Sequence, residues 1–149
     1  KQVQFTGFVP QATVSQYYGA ADIFCFPSIR EFGGAVVLEA MAHGLPCIVA
    51  DYGGIGEYVT EEMGCKIELK SHQDLIEQLQ AKIELLVEDT VLRQQMSVKA
   101  IERAKKFTWP QKAEDMLWVY HEAITQKANI TFPGLLRQLQ PPMPLGEAV

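Results

Sequence analysis

FPSIREFGGAVVLEAMAHGLPCIVAD, residues Phe26 to Asp51, holds the pattern that decides the fold. It opens on the end of an apolar run, DIFCFPS, that Pro27 stops. A loop carrying Glu31, Phe32 and the pair Gly33 and Gly34 follows, too rich in glycine to be a helix interior. From Ala35 the composition turns helical until Gly44, which sits where a left-handed helix stop is expected, and PCIVAD then reads as a second buried strand. Strand, loop, helix and strand make one unit of a parallel α/β sheet. Working outward, VQFTGFV (Val3 to Val9) reads as an earlier strand and QATVSQYYGAA as a short helix. DIFCFPS is expected to be the central strand. Gly53, Gly54 and Gly56 make a turn before a short helical stretch, and GCKIEL is expected as one more strand.

From Ser71 onward the pattern is helical. Leu75, Leu79, Ile83 and Leu86 keep one face apolar behind a Ser71–Asp74 capping box. Leu92, Met96, Ala100, Ala104 and Phe107 form a second stripe. Thr108 and Pro110 introduce a third, with Ala113, Met116, Leu117, Tyr120 and Ile124. The end of the chain, from Pro133, holds four of its eight prolines and no sustained periodicity. The expected organisation is a partial Rossmann-like domain over 1–127, including a helical C-terminal extension, and a loose or docking tail over 128–149.

Composition excludes several classes of function. A chain of 149 residues with 48% hydrophobic residues can bury one core. A net charge of −5 gives no electrostatic footprint for nucleic acid or an anionic membrane. No run reaches the length of a membrane span, so any membrane association is expected only through parts outside this chain. Cys25, Cys47 and Cys65 are an odd number without close spacing, which suggests neither a disulfide framework nor a metal site. A reducing, cytoplasmic setting is expected, with Cys25 and Cys47 as core packing. The chain begins at Lys1 inside an apparent strand, which is the pattern of a piece of something longer.

Glu31 and Glu39 carry the chemical question. A glycine pair between strand and helix lets backbone amides approach a ligand, and the first amides of the helix, at the positive end of its dipole, favour an anion such as phosphate. Ligands of open parallel sheets lie beyond the carboxyl ends of the strands, where this loop falls. Carboxylates accept hydrogen bonds from hydroxyl groups, so phosphate and hydroxyls together suit a sugar nucleotide. The plain alternative is that Glu31 complements the helix dipole and Glu39 is a solvated position facing His43. Against it, Val36, Val37, Leu38, Ala40, Met41 and Ala42 leave Glu39 little polar face. His43 reads as a packed side chain or a C-terminal cation.

These residues resemble the donor-binding core of glycosyltransferase family four, glycosyl transferases group one, with its PS-x-x-E and G-x-x-x-x-E-A-M-A-x-G-x-P pattern. Pro27, Ser28, Glu31, Gly34, Glu39, Ala40, Met41, Ala42, Gly44 and Pro46 match it, followed by Gly53, Gly54 and Glu57. The likeness extends from Val3 to about Thr125. It implies the C-terminal half of a GT-B enzyme. Glu31 would contact hydroxyls of the donor sugar as the catalytic carboxylate, and Glu39 the ribose. The amides of Gly34, Ala35 and Val36 would hold the diphosphate, with Phe32 and Gly33 completing the loop.

The resemblance further implies a base near Gly7 to Val9, no bound metal or cofactor besides the nucleotide-sugar donor, retention at the anomeric carbon, and an acceptor-binding N-terminal domain as partner. This chain alone would then be inactive. It departs from the family in having Phe32 before Gly33, where glycine then phenylalanine is usual, and Gly56 where proline is usual. Arg30 could substitute for the family's upstream basic pair in touching phosphate, or be a solvated loop residue. Two other classes compete. GGIGEYV lacks the third glycine of a nicotinamide-binding fingerprint, and a non-catalytic sugar-nucleotide module would keep the site without turnover.

Overall fold

A computed structural model describes residues 3–31 and 33–129. Its elements run α1 (Gln11–Ala20), β1 (Phe24–Phe26), α2 (Ala35–Ala42), β2 (Cys47–Ala50), α3 (Gly53–Tyr58), β3 (Gly64–Ile67), α4 (His72–Glu88) and α5 (Thr90–Ala104). A 3-10 turn (Lys105–Phe107) and α6 (Trp109–Asn129) follow. Two compact units divide between Thr108 and Trp109. The second is described here by α6, whose Lys112 pairs with Asp115 at 2.7 Å one turn on. The tail expected at 128–149 lies outside the described residues from 130 onward.

In the first unit the three strands are parallel in the order β1-β2-β3, with Phe24 opposite Cys47 and Cys47 opposite Gly64. The strand order advances in one direction, so right-handed crossovers put α2 and α3 on one face of the sheet. Residues of β2 alternate between two cores. Cys47 and Val49 join Val37, Ala40, Met41, Ile55 and Val59 beneath α2 and α3. Ile48 joins Cys65, Ile67, Leu86 and Met96 on the opposite face, under α4 and α5. Helix α5 reaches both, because Met96 belongs to the second core and Ala100 to the first.

The structure corrects several expectations, beginning with the sheet. The central strand is β2, whose four residues are all buried, while β1 lies at an edge of the described sheet. Both runs are continuously apolar, and periodicity alone does not rank them. Val3 to Val9 form no strand; Phe5 and Phe8 are each 94% exposed, and no described strand lies on that side of β1 to pair with them. Cys25 is exposed rather than core. Phe24 and Phe26 turn toward the first core, so Cys25 takes the other face, where the second core reaches Ile23 and stops.

The helix stop at Gly44 forms as the sequence indicates. Gly44 has φ +77, its N–H donates to the Met41 carbonyl at 2.9 Å, and the Leu45 N–H donates to Ala40 at 3.1 Å. This is a Schellman motif, and it requires glycine twice over, since a Cβ at position 44 would also stand 2.9 Å from Ser97 Oγ of α5. Ser71 caps α4 by accepting from the Asp74 N–H at 3.1 Å. The Asp74 carboxylate accepts from Gln78 at 2.6 Å, so it joins the flank of the helix. The glycines at 53, 54 and 56 lie inside α3 rather than before it.

Cys47 is a core thiol, with its Sγ–H directed at the Leu45 carbonyl at 3.3 Å. Burial pushes its pKa from 9.0 up to about 12. A thiol held neutral in the fold binds its proton more tightly there than in the unfolded chain. Its contribution to stability is therefore complete below pH 9 and declines as pH rises toward 12, by at most about 1.4 kcal/mol per unit. Urea melts at pH 8 and pH 10.5 should show this loss, and a Cys47→Ala variant should lose less over the same interval.

Candidate functional site

All strands run the same way, so the loops after β1 and β2 emerge at one end of the sheet. Gly53 lies beside the first of these loops, its Cβ direction 3.5 Å from the Glu31 carbonyl oxygen. Gly34 begins α2 in the left-handed region, with φ 52 and ψ 37. A side chain there would collide with Ile55 of α3, whose Cγ1 stands 2.6 Å from an ideal Cβ. Two separate facts therefore select glycine at 34: the turn angle, and the approach of α3. Gly34 accepts from the Val37 N–H at 2.8 Å, which winds the first turn tightly. The amides of Ala35 and Val36 belong to that opening turn and have no preceding helical carbonyl to bond.

Glu31 and Glu39 occupy different environments. Glu31 Oε1 accepts from the Gly33 N–H at 3.3 Å and the Gly34 N–H at 3.1 Å, so the carboxylate ties its own loop into shape. It also brings a negative charge to the start of α2, where the dipole favours it. Phe32 lies outside the described residues. Glu39 is half-buried on α2, flanked by buried Ala40 and half-buried Leu38. Its Oε2 accepts from the Tyr18 hydroxyl at 3.4 Å. One wall beside it is a cavity of about 150 Å³ lined by Gln11, Val14, Ser15, Tyr18 and His43 of α1 and the end of α2. On the other side Glu39 borders a larger hollow of about 320 Å³ against Ile101, Ala104 and Phe107.

Ser15 and Tyr18, which help to hold this region, escaped sequence reasoning, and His43, read from the sequence as a packed side chain or a C-terminal cation, takes part through two hydrogen bonds. His43 Nδ1 lies 2.8 Å from the Glu39 carbonyl oxygen, which can only accept, so Nδ1 carries a proton. Nε2 is 2.7 Å from Ser15 Oγ and, in the neutral ring, accepts the serine proton. The pair clamps α1 to the last turn of α2. Tyr18, only 8% exposed, packs edge-on against Phe24 at 5.7 Å and beside the His43 ring at 5.2 Å. Burial and then the neighbouring Glu39 charge raise the pKa of Tyr18, keeping it a proton donor. These contacts span 21 and 28 positions of sequence, and no local pattern marks them.

Arg30 is exposed on the loop after β1. The departure at Gly56 has a local cause: a Cβ there would stand 2.8 Å from the Asp51 carboxylate, which pairs with Lys66 at 3.0 Å. Among the described residues, no cluster of histidine, cysteine and acidic side chains suits a metal ion, and no helix is long and apolar enough to cross a membrane.

A parallel sheet with helices on both faces and a glycine-led helix at the carboxyl end of a strand make a Rossmann-like domain, and its likeness to the solved glycosyltransferases named below makes it one of the GT-B type. The chain belongs to the family Glycosyl transferases group 1, whose sequence model matches residues 1–106. It is 37% identical over 123 residues to a D-inositol 3-phosphate glycosyltransferase of Corynebacterium diphtheriae, covering 82% of this chain and 28% of that protein. It is 34% identical over 105 residues to the sulfoquinovosyl transferase of Arabidopsis thaliana, covering 70% of this chain and 21% of that one.

Among solved structures, a sucrose-phosphate synthase from Thermosynechococcus elongatus superimposes with a TM-score of 0.67 at 27% identity, over 83% of this chain and 30% of that one. WaaG, a glycosyltransferase involved in lipopolysaccharide biosynthesis, gives 0.61 at 28% identity, over 73% and 30%. The chain thus spans less than a third of the length of the curated relatives it matches.

Proposed function

We propose that this chain is the donor-binding domain of a glycosyltransferase that takes its sugar from a nucleotide diphosphate. The observation that carries the reading is α2, whose open amides at Ala35 and Val36 and half-buried Glu39 lie on one short helix at the carboxyl end of the sheet. The Ala35 and Val36 amides receive the diphosphate, with the Gly34 amide shared between it and Glu31. Glu39 accepts from the ribose hydroxyls. The base lies against the backbone near Gly7 to Val9, ahead of α1. Glu31 meets the hydroxyls of the sugar itself and is the catalytic residue of this half-site.

In the reaction, the bond from the anomeric carbon to the diphosphate breaks. An acceptor hydroxyl oxygen bonds to the same face of that carbon, and its proton leaves with the nucleoside diphosphate. Negative charge grows on the departing phosphate, and amides already aimed there stabilise it without reorganising, in the place a metal ion would take. The acceptor groove lies in an N-terminal domain of the same protein, outside this chain. The cytoplasm, where sugar nucleotides are available, is the compartment this chemistry implies.

Calorimetric titration of the complete protein with a panel of nucleoside diphosphates and their sugars should find one saturable donor, and that donor should support glycoside formation. The isolated chain should make none. Failure of every sugar nucleotide to bind the complete protein would overturn the donor assignment. Binding without any glycoside across the acceptor panel would favour the non-catalytic module.

A further inference from the structure

We infer that Tyr18 is a positioning residue for the donor site, acting through Glu39; the inference rests on the ribose role proposed for that carboxylate. The ring of Tyr18 has its packing reasons in Phe24 and His43, and a phenylalanine would satisfy both. The hydroxyl needs another reason. The hydroxyl of this buried residue meets Glu39 Oε2 at 3.4 Å, 21 positions away on α2.

The arrangement controls a side chain that would otherwise choose among several rotamers. A glutamate on a helix surface loses much of its freedom when one carboxylate oxygen is tethered, and that loss is then complete before the ligand arrives. A carboxylate offers about four acceptor positions over its two oxygens, so one tyrosyl hydrogen bond leaves room for a pair of vicinal hydroxyls. The clamp from His43 to the Glu39 carbonyl and to Ser15 holds the backbone beneath and keeps α1 at the distance the tyrosine needs. Helix α1 is therefore a second wall of the site, although it lies outside the segment that carries the two glutamates.

The test is a double-mutant cycle in the complete protein, reading nucleoside diphosphate affinity by calorimetry. Tyr18→Phe should weaken binding about three- to tenfold. In a Glu39→Ala background, where no side-chain oxygen is left to accept from the tyrosine, the same change should cost less than about twofold. Donor KM should rise in step with the lost affinity, with kcat held within about twofold and the melting temperature unmoved. Undiminished loss in the Glu39→Ala background would show that Tyr18 acts by packing and overturn the inference, as would unchanged affinity in Tyr18→Phe beside a Glu39→Ala variant that binds poorly. A Glu39→Ala variant that binds as the parent does would instead overturn the ribose assignment, and this inference with it.

Discussion

Gly64→Ala is expected to destabilise the first unit by on the order of 3 kcal/mol or more, the upper range for forcing an atom into a packed interior. A Cβ at this position would land on the carbonyl oxygen of Cys47 in the neighbouring strand and stand 2.8 Å from Val59 Cγ1 and 3.1 Å from the Cys47 amide nitrogen. Two of these three atoms are backbone in β2, the fully buried middle strand, so they cannot swing aside. Relief requires β3 to lift away from β2. That movement would open both cores, because Val59 belongs to the first and Cys65 and Ile67 to the second. Thermal melting should fall by roughly 10 °C or more. Gly19→Ala is the control: a Cβ there meets nothing within 4 Å, and a helical alanine should be neutral or up to about 1 kcal/mol stabilising. Equal melting temperatures for the two variants would mean that β3 does not sit against β2 as described.

Gly64 also marks where sequence reading runs out. That a strand passes through GCKIEL is legible from its apolar alternation, and the strand forms at Gly64–Ile67. That its first residue must lack a side chain depends on a strand 17 positions earlier, across the register that pairs Cys47 with Gly64. The same division holds elsewhere. The stop of α2 at Gly44, the cap at Ser71 and the strand after Pro46 are local, and each was legible because backbone angle and turn chemistry act over a few residues.

The rank of β1 against β2 was not local. Two apolar runs of similar length look alike until the sheet assigns one an edge and the other the middle. In the site, Glu31 and Glu39 stood out as charges in an apolar context, which is a sequence property. Tyr18 and Ser15 did not, because a tyrosine and a serine on an ordinary helix acquire meaning only when α1 lies beside α2, and His43, legible at the end of α2, gains its serine partner only then. The apolar run Val3 to Val9 was misread for the complementary reason: β-propensity reports fitness for a sheet surface, and no neighbouring strand among the described residues offers one.

The two glutamates should separate in kinetics, and the hydrogen bonds of Glu31 make the comparison clean. Its Oε1 organises the loop by accepting from Gly33 and Gly34. Glu31→Gln keeps an oxygen able to accept those bonds while removing the charge, so the loop should hold its form. If the charge acts on the sugar as positive character develops at the anomeric carbon, the loss belongs to the transition state. In the complete protein kcat should then fall on the order of a hundredfold, with nucleotide affinity nearly unchanged. Glu39→Gln should do the reverse. A ribose contact is the same in ground and transition states, so nucleoside diphosphate affinity should weaken by about 1–3 kcal/mol, the scale of a hydrogen bond to a charged group, with kcat largely retained at saturating donor. Calorimetry beside steady-state kinetics reads both effects. Should each variant bind and turn over as the parent does while only the melting temperature moves, the carboxylates are structural: Glu31 then serves its loop, Glu39 serves Tyr18, and the donor site lies elsewhere.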